Sequence, residues 1–213
     1  MRALVVYCHP KEGSFNSAVR DTVMGRLHAA GVEVRLRDLY AEGFQPVLTT
    51  EEWVGYEDCE TNHIPVESYV RDIKWCDTLI FVYPTWWYGL PAMLKGWLDR
   101  VLIPDVAFFM PKAEGETIKP GLHHIERLGV FTTCGASWWL TRLIGAPGRR
   151  TLLRGVGLLL KPRTKKVFAA HYLMDTAPRA SLKKHLERVA RRTDKLIGAK
   201  RDRSALPDGA PAE

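Results

Sequence analysis

The stretch Asp77–Leu102 reads DTLIFVYPTWWYGLPAMLKGWLDRVL, and its periodicity changes half-way along. Thr78–Tyr83 is a continuous apolar run rich in Ile, Val and Phe. It is too short for a lone buried helix and suits a strand covered on both faces, as in parallel sheets. Pro84 is expected to stop it. Two tryptophans, a tyrosine and a glycine follow, and then the spacing becomes helical: Leu90, Leu94, Trp97, Leu98 and Val101 fall on one face. Pro91 suits a first helical turn, where a missing N–H costs nothing. The order is strand, aromatic turn, helix. In open α/β sheets ligands bind outside the carboxyl ends of the strands, so Pro84, Thr85, Trp86, Trp87, Tyr88 and Gly89 stand where a ligand is expected. Flat aromatics there suit either a planar ligand or an interface with another subunit; the residues alone leave both open.

The same pattern recurs along the chain. Residues 2–7 (RALVVY) read as a buried strand, and Phe15, Val19, Val23 and Leu27 continue at helical spacing after Ser14 or Asn16, either of which can cap the helix. A strand feeding a helix N-terminus is an anion site, because the orphan N–H groups and the macrodipole favour phosphate. His9, Ser14 and Asn16 add polar contacts. Neither a Walker loop nor a GxGxxG is present, which argues against nucleoside-triphosphate hydrolysis. Residues 32–36 read as a second strand, 38–65 as irregular, and 66–76 as a helix. The stretch 103–124 reads as a long loop in which Phe108 and Phe109 either line a cavity or tuck the loop down. Leu128–Thr132 reads as a fourth strand, and Thr132, Thr133, Cys134 and Gly135 offer small groups at its end, where backbone amides can approach a flat ring. Cys134 has no base identifiable beside it, which disfavours a nucleophilic role. Residues 146–155 read as a helix ending at Gly155, 158–160 and 167–170 as the last strand region, and 180–197 as the final helix. Strands alternating with helices define a doubly wound α/β sheet in three layers.

Composition narrows the class. With 213 residues, 46% hydrophobic and 26% charged, the chain suits one globular domain over 1–198 with a polar, disordered tail over 199–213. No run reaches the roughly 18–20 apolar residues of a membrane span, and MRALVVYCHP reads as a strand rather than a signal peptide. Four cysteines without paired spacing fit reduced thiols in a cytoplasm. The net charge of +7 comes without a recognition motif, so nucleic-acid binding is not expected. His123-His124 point to opposite faces of an extended segment, and no metal site is expected.

The segment WWYGLPAMLKGWLDRVL closely resembles the second flavin-binding segment of the flavodoxin-like NAD(P)H:quinone oxidoreductases, the DT-diaphorase family. His9-Pro10 and Ser14-Phe15-Asn16 resemble that family's phosphate cradle, and Thr132-Thr133-Cys134-Gly135 its Thr-Thr-Gly-Gly loop, with Cys134 in place of the first glycine. The resemblance implies a five-stranded parallel sheet of order 2-1-3-4-5 and a homodimer. It implies FAD or FMN, the central motif being nearer the FAD-binding branch, with NAD(P)H as co-substrate and a quinone-like acceptor. It assigns the phosphate to His9, Ser14, Phe15, Asn16 and Ser17, the ring's surroundings to Thr85 and Trp86, its polar edge to the amides of Trp87 and Tyr88, and the opposite edge to Thr132–Gly135. The family's tyrosine and histidine after this loop have no counterpart in SWWLTRLIGAPGRR; Trp138, Trp139 or Arg142 are expected to line the pocket instead. The same motifs also suit a flavin-binding regulatory subunit of a potassium-efflux system or an electron carrier.

Overall fold

The computed structural model describes residues 1–199; the tail expected to be disordered lies, but for Ala199, outside the described residues. The central sheet is built from β1 (Arg2–Tyr7), β2 (Glu33–Asp38), β3 (Thr78–Thr85), β6 (Arg127–Cys134) and β7 (Lys165–His171). A two-residue hairpin, β4 (Phe108–Phe109) with β5 (Lys119–Pro120), stands apart from it. All pairings in the main sheet are parallel and the order is β2-β1-β3-β6-β7, the flavodoxin-like 2-1-3-4-5 when its strands are counted alone.

The sheet is covered on both faces, which explains the unbroken apolar runs. Leu4, Val6, Leu79, Phe81 and Tyr83 point to one core, shared with Val70 and Ile73 of α3 (Glu67–Trp75) and Leu94, Trp97, Leu98 and Val101 of α4 (Ala92–Val101). Ala3, Val5, Tyr7, Ile80 and Val82 point to the other, shared with Val19, Val23 and Leu27 of α1 (Phe15–Ala29) and Leu186, Val189 and Leu196 of α8 (Arg179–Ile197). A buried ion pair, Arg26 Nε to Asp194 at 2.7 Å, ties α1 to α8.

Four expectations are corrected. β3 does not stop at Pro84 but runs through it to Thr85, with Pro84 opposite Thr133. Pro91 is the N-cap of α4, with extended ψ of 146°, rather than its first helical residue. The irregular stretch after β2 contains a short helix, α2 (Thr50–Val54), closed by a capping box between Thr49 and Glu52. The segment 158–160 is not strand: α6 (Pro147–Arg150) passes through a π-helical turn (Thr151–Val156) into α7 (Gly157–Leu159). Lys166 Nζ donates to the carbonyl oxygens of Leu153, within the helix, and of Gly157, in its last turn. In the long loop, Phe108 packs against the core while Phe109 is exposed, and neither lines a cavity of the site.

Candidate active site

The carboxyl ends of β1, β3 and β6 lie along one edge of the sheet, where Tyr7 pairs with Val82 and Thr85 with Cys134. Beyond that edge opens a cleft of about 640 Å³, lined by His9 and the Ser14–Asn16 turn on one side, Pro84–Tyr88 in the middle, and Thr133–Ala136 on the other. Three stretches far apart in sequence thus share one wall. Met174 and Asp175, in the 3₁₀ turn after β7, complete it. Sequence reasoning missed these two, although the rule that ligands sit beyond the ends of parallel strands applies equally to the last strand.

At the first wall, Ser14 caps α1: its hydroxyl accepts from the Ser17 N–H at 3.2 Å. No acidic residue stands in that first turn, so the helix N-terminus keeps its positive end for an anion. Ser17 itself is buried, and its hydroxyl donates to the Ser14 carbonyl at 2.6 Å, so it shapes the turn from behind the cleft. The Phe15 ring turns inward against His171 and His185, leaving its backbone N–H as what it offers the cleft. His9 Nδ1 lies 3.1 Å from the Lys11 N–H and 3.0 Å from the Lys11 carbonyl oxygen, so its tautomer decides which of the two it bonds, and burial holds its pKa below the ordinary value.

Asn16 is the polar centre of the cleft. It is 5% exposed, its Nδ2 donates to Thr133 Oγ1 at 2.8 Å, and its Oδ1 has no partner. A buried amide oxygen without a partner costs about 1–3 kcal/mol, unless a ligand completes it. With the amide turned over, the Thr133 hydroxyl donates to Oδ1 and the amide nitrogen is freed for an anion. Either orientation leaves one polar atom for a guest.

The aromatic turn carries backbone strain. Trp87 and Tyr88 both have positive φ, 48° and 61°, and the Gly89 N–H donates to the Trp86 carbonyl at 3.0 Å. This is the sign pattern of a type I′ turn, which ordinarily takes Asn and Gly. Left-handed backbone costs a bulky residue of order 1–2 kcal/mol. Trp87 is 94% exposed, so burial of its ring does not offset that cost in this subunit. At the far wall, a Cβ on Gly135 would stand 2.6 Å from the Asp175 carboxylate, which accounts for a glycine where the chain must pass close.

A second cavity of about 190 Å³ lies against the first and shares Thr85, Tyr88 and Cys134 with it. Thr132 belongs to this side, its hydroxyl 2.9 Å from that of Thr85. So does Trp138, at the start of α5 (Trp138–Leu143), whereas Trp139 lines neither cavity and is 65% exposed. Arg142 is present, as expected, together with Arg149 and Tyr172, for which the sequence carried no local signal. Cys134 is buried, with Sγ 3.6 Å from the Thr141 hydroxyl.

A parallel sheet with a helix N-terminus, an aromatic turn and a small-residue loop converging at its carboxyl edge defines an α/β protein of the doubly wound class with a cleft where such sheets bind ligands. The chain belongs to the flavodoxin-like fold family, whose model matches residues 1–193. It is 34% identical over 123 residues to NAD(P)H dehydrogenase [quinone] 1 of Rattus norvegicus, a match covering 50% of this chain and 45% of the rat protein. It is 35% identical over 141 residues to an NAD(P)H oxidoreductase of Haemophilus influenzae, covering 64% and 66%. Among solved structures, the NAD(P)H:quinone oxidoreductase from Methanothermobacter marburgensis superposes with a TM-score of 0.77 at 25% identity, over 92% of this chain and 98% of that one. The chain spans about half the length of the curated relatives it matches first.

Proposed function

We propose that the protein is a flavin-dependent NAD(P)H:quinone oxidoreductase working as a homodimer. The observation that carries this reading is the convergence of three separated segments on one cleft whose buried Asn16 keeps an unpartnered polar atom. The cleft fits a phosphorylated, flat cofactor: an uncompensated helix N-terminus at one end, aromatic side chains in the middle, and a glycine at the other end. A bound flavin would supply the two-electron chemistry, accepting hydride from NAD(P)H and delivering it to a quinone or related electrophile in two half-reactions through one pocket.

The chain's own task is to hold and orient. Ser14, Asn16, His9 and the N–H of Phe15 take the phosphate, with Ser17 bracing the turn. Thr85, Trp86 and the amides of Trp87 and Tyr88 hold one edge of the ring, and Thr133–Gly135 the other. Pro84 and Thr132 set the floor between them. The strained turn presents its two N–H groups as a fixed pair, so little reorganisation is needed when charge develops at that edge. FAD remains our choice over FMN because of the central motif.

The test is an optical spectrum of purified protein followed by anaerobic NADPH. We expect a band near about 450 nm that bleaches and returns with menadione. A protein that stays colourless after incubation with FAD and FMN overturns the reading. In a coloured protein, the Ser14→Ala, Asn16→Ala double variant should lose flavin on gel filtration; unchanged flavin content would refute the phosphate assignment.

A further inference from the structure

The smaller cavity has an unusual charge balance. Its walls carry five aromatic side chains, those of Tyr83, Tyr88, Trp138, Phe168 and Tyr172, and it is also lined by two arginines, Arg142 and Arg149, and by no carboxylate residue. Arg142 lies over the Trp138 ring at 5.4 Å and Arg149 over the Phe168 ring at 5.2 Å. A cation over the face of a ring is attracted by the ring's π-electrons. Among the described residues neither arginine meets a carboxylate within 4 Å. Arg142 is exposed and Arg149 half-buried, and an anion held between them would meet two positive charges.

The remaining polar groups divide cleanly. The hydroxyls of Thr85 and Thr132 bond each other, and that of Thr141 donates to the Ser137 carbonyl at 2.9 Å. Burial raises the pKa of Tyr172, so its hydroxyl keeps its proton and serves as a neutral donor beside the arginines. Size selects further. A cavity of about 150 Å³ suffices for benzene, so 190 Å³ takes one six-membered ring with a small substituent and excludes a nucleotide. A neutral ring would leave both arginines without a counter-charge.

We infer that this cavity is the specificity subsite for the electron acceptor, and that it takes an aryl carboxylate or sulfonate, with Arg142 and Arg149 binding the anionic group. The position supports that use, because Tyr88 and Cys134 are walls of both cavities and a molecule in the smaller one lies directly beside the larger. This inference rests on the oxidoreductase reading for its acceptor, but not for its anion.

The test therefore has two arms. In the first, kcat/KM is measured with 1,4-benzoquinone-2-sulfonate and with 1,4-benzoquinone. The wild type should prefer the sulfonate, and the ratio should fall about tenfold in Arg142→Gln and in Arg149→Gln, chiefly through KM, as loss of a charge-assisted contact requires. Arg142→Lys, which keeps the charge at an exposed position, should retain most of the preference. No preference in the wild type, or a ratio unmoved in both glutamine variants, overturns the subsite. In the second arm, benzenesulfonate and benzenesulfonamide are titrated calorimetrically into the full chain without added pyridine nucleotide. Sulfonate binding that is weakened by Arg142→Gln, in a protein that turns over neither quinone, upholds the subsite and sinks the oxidoreductase reading. Absence of sulfonate binding in an active enzyme sinks the subsite alone.

Discussion

At the scale of single residues, the cost of building the site is visible in the backbone of Trp87. Its φ of 48° and its 94% exposure mean that folding gains little from the ring while bearing the strain. Asn adopts the left-handed region far more readily. In a subunit kept monomeric, Trp87→Asn should therefore be as stable as its parent or up to about 1 kcal/mol more stable, while in the dimer the lost ring weakens the interface and kcat/KM with quinone falls. Urea midpoints and steady-state rates separate the two effects, and a large loss of stability would show that the ring is packed. Gly96 is the opposite case. A Cβ there would land inside the backbone and side chain of Pro46, which crosses α4 at that point. Gly96→Ala should cost about 1–3 kcal/mol by overpacking, read as a lowered denaturation midpoint with flavin content unchanged among the molecules that remain folded. The central motif showed this glycine in sequence; the reason for it lies in a segment fifty positions upstream, which no local pattern reveals.

Among the elements, those that obey a simple period were legible and those bent by tertiary contacts were not. Thr78–Tyr83 and residues 2–7 read as strands because both faces are buried, and α4 read as a helix because Leu94, Trp97, Leu98 and Val101 fill one core. The I′ turn was hidden by its aromatic residues, since the usual signal for it is Asn-Gly. The helix over residues 146–155 was legible, but its continuation through Leu159 was not, because three leucines in a row have no period to read, and Lys166, which donates to two of its carbonyl oxygens, belongs to another element. Packing of α1, β7 and α8 also carries a pH dependence. His185 is 2% exposed, both its ring nitrogens lack partners, and burial, with His171 and Arg188 nearby, pushes its pKa down to about 3. His171 is lowered too, by burial and by Arg188. The unfolded chain takes up these protons near pH 6.5 and the folded one does not, so stability is complete above about pH 6.5 and falls on acidification. The slope contributed by His185 approaches 1.4 kcal/mol per pH unit below that point. Denaturation midpoints at pH 7.5 and 5.0 should differ in the wild type and differ less in His185→Phe. An equal shift in both would assign the acid sensitivity elsewhere.

For the whole molecule, the distribution of exposed apolar surface argues that one subunit is an incomplete site. Trp87, Trp138, Trp139, Leu143 and Ile144 are all substantially exposed, and they belong to the aromatic turn and α5, which meet at the smaller cavity. Large exposed apolar groups gathered around a ligand site mark an interaction surface, and aromatic side chains are the usual anchors of an interface. Among the described residues no helix is long and apolar enough to cross a membrane. A second copy, as the proposed homodimer requires, would cover the strained turn, recover by burial what the Trp87 backbone costs, and close the cleft against water. Sedimentation at micromolar concentration should show a dimer that retains flavin. Trp139→Asp together with Leu143→Asp, both outside the two cavities, should yield a monomer whose far-ultraviolet spectrum is native and whose turnover is reduced at least tenfold, consistent with loss of well over 1 kcal/mol of transition-state stabilisation. A wild-type monomer with full turnover would show that each subunit works alone and would leave the exposed tryptophans without this role.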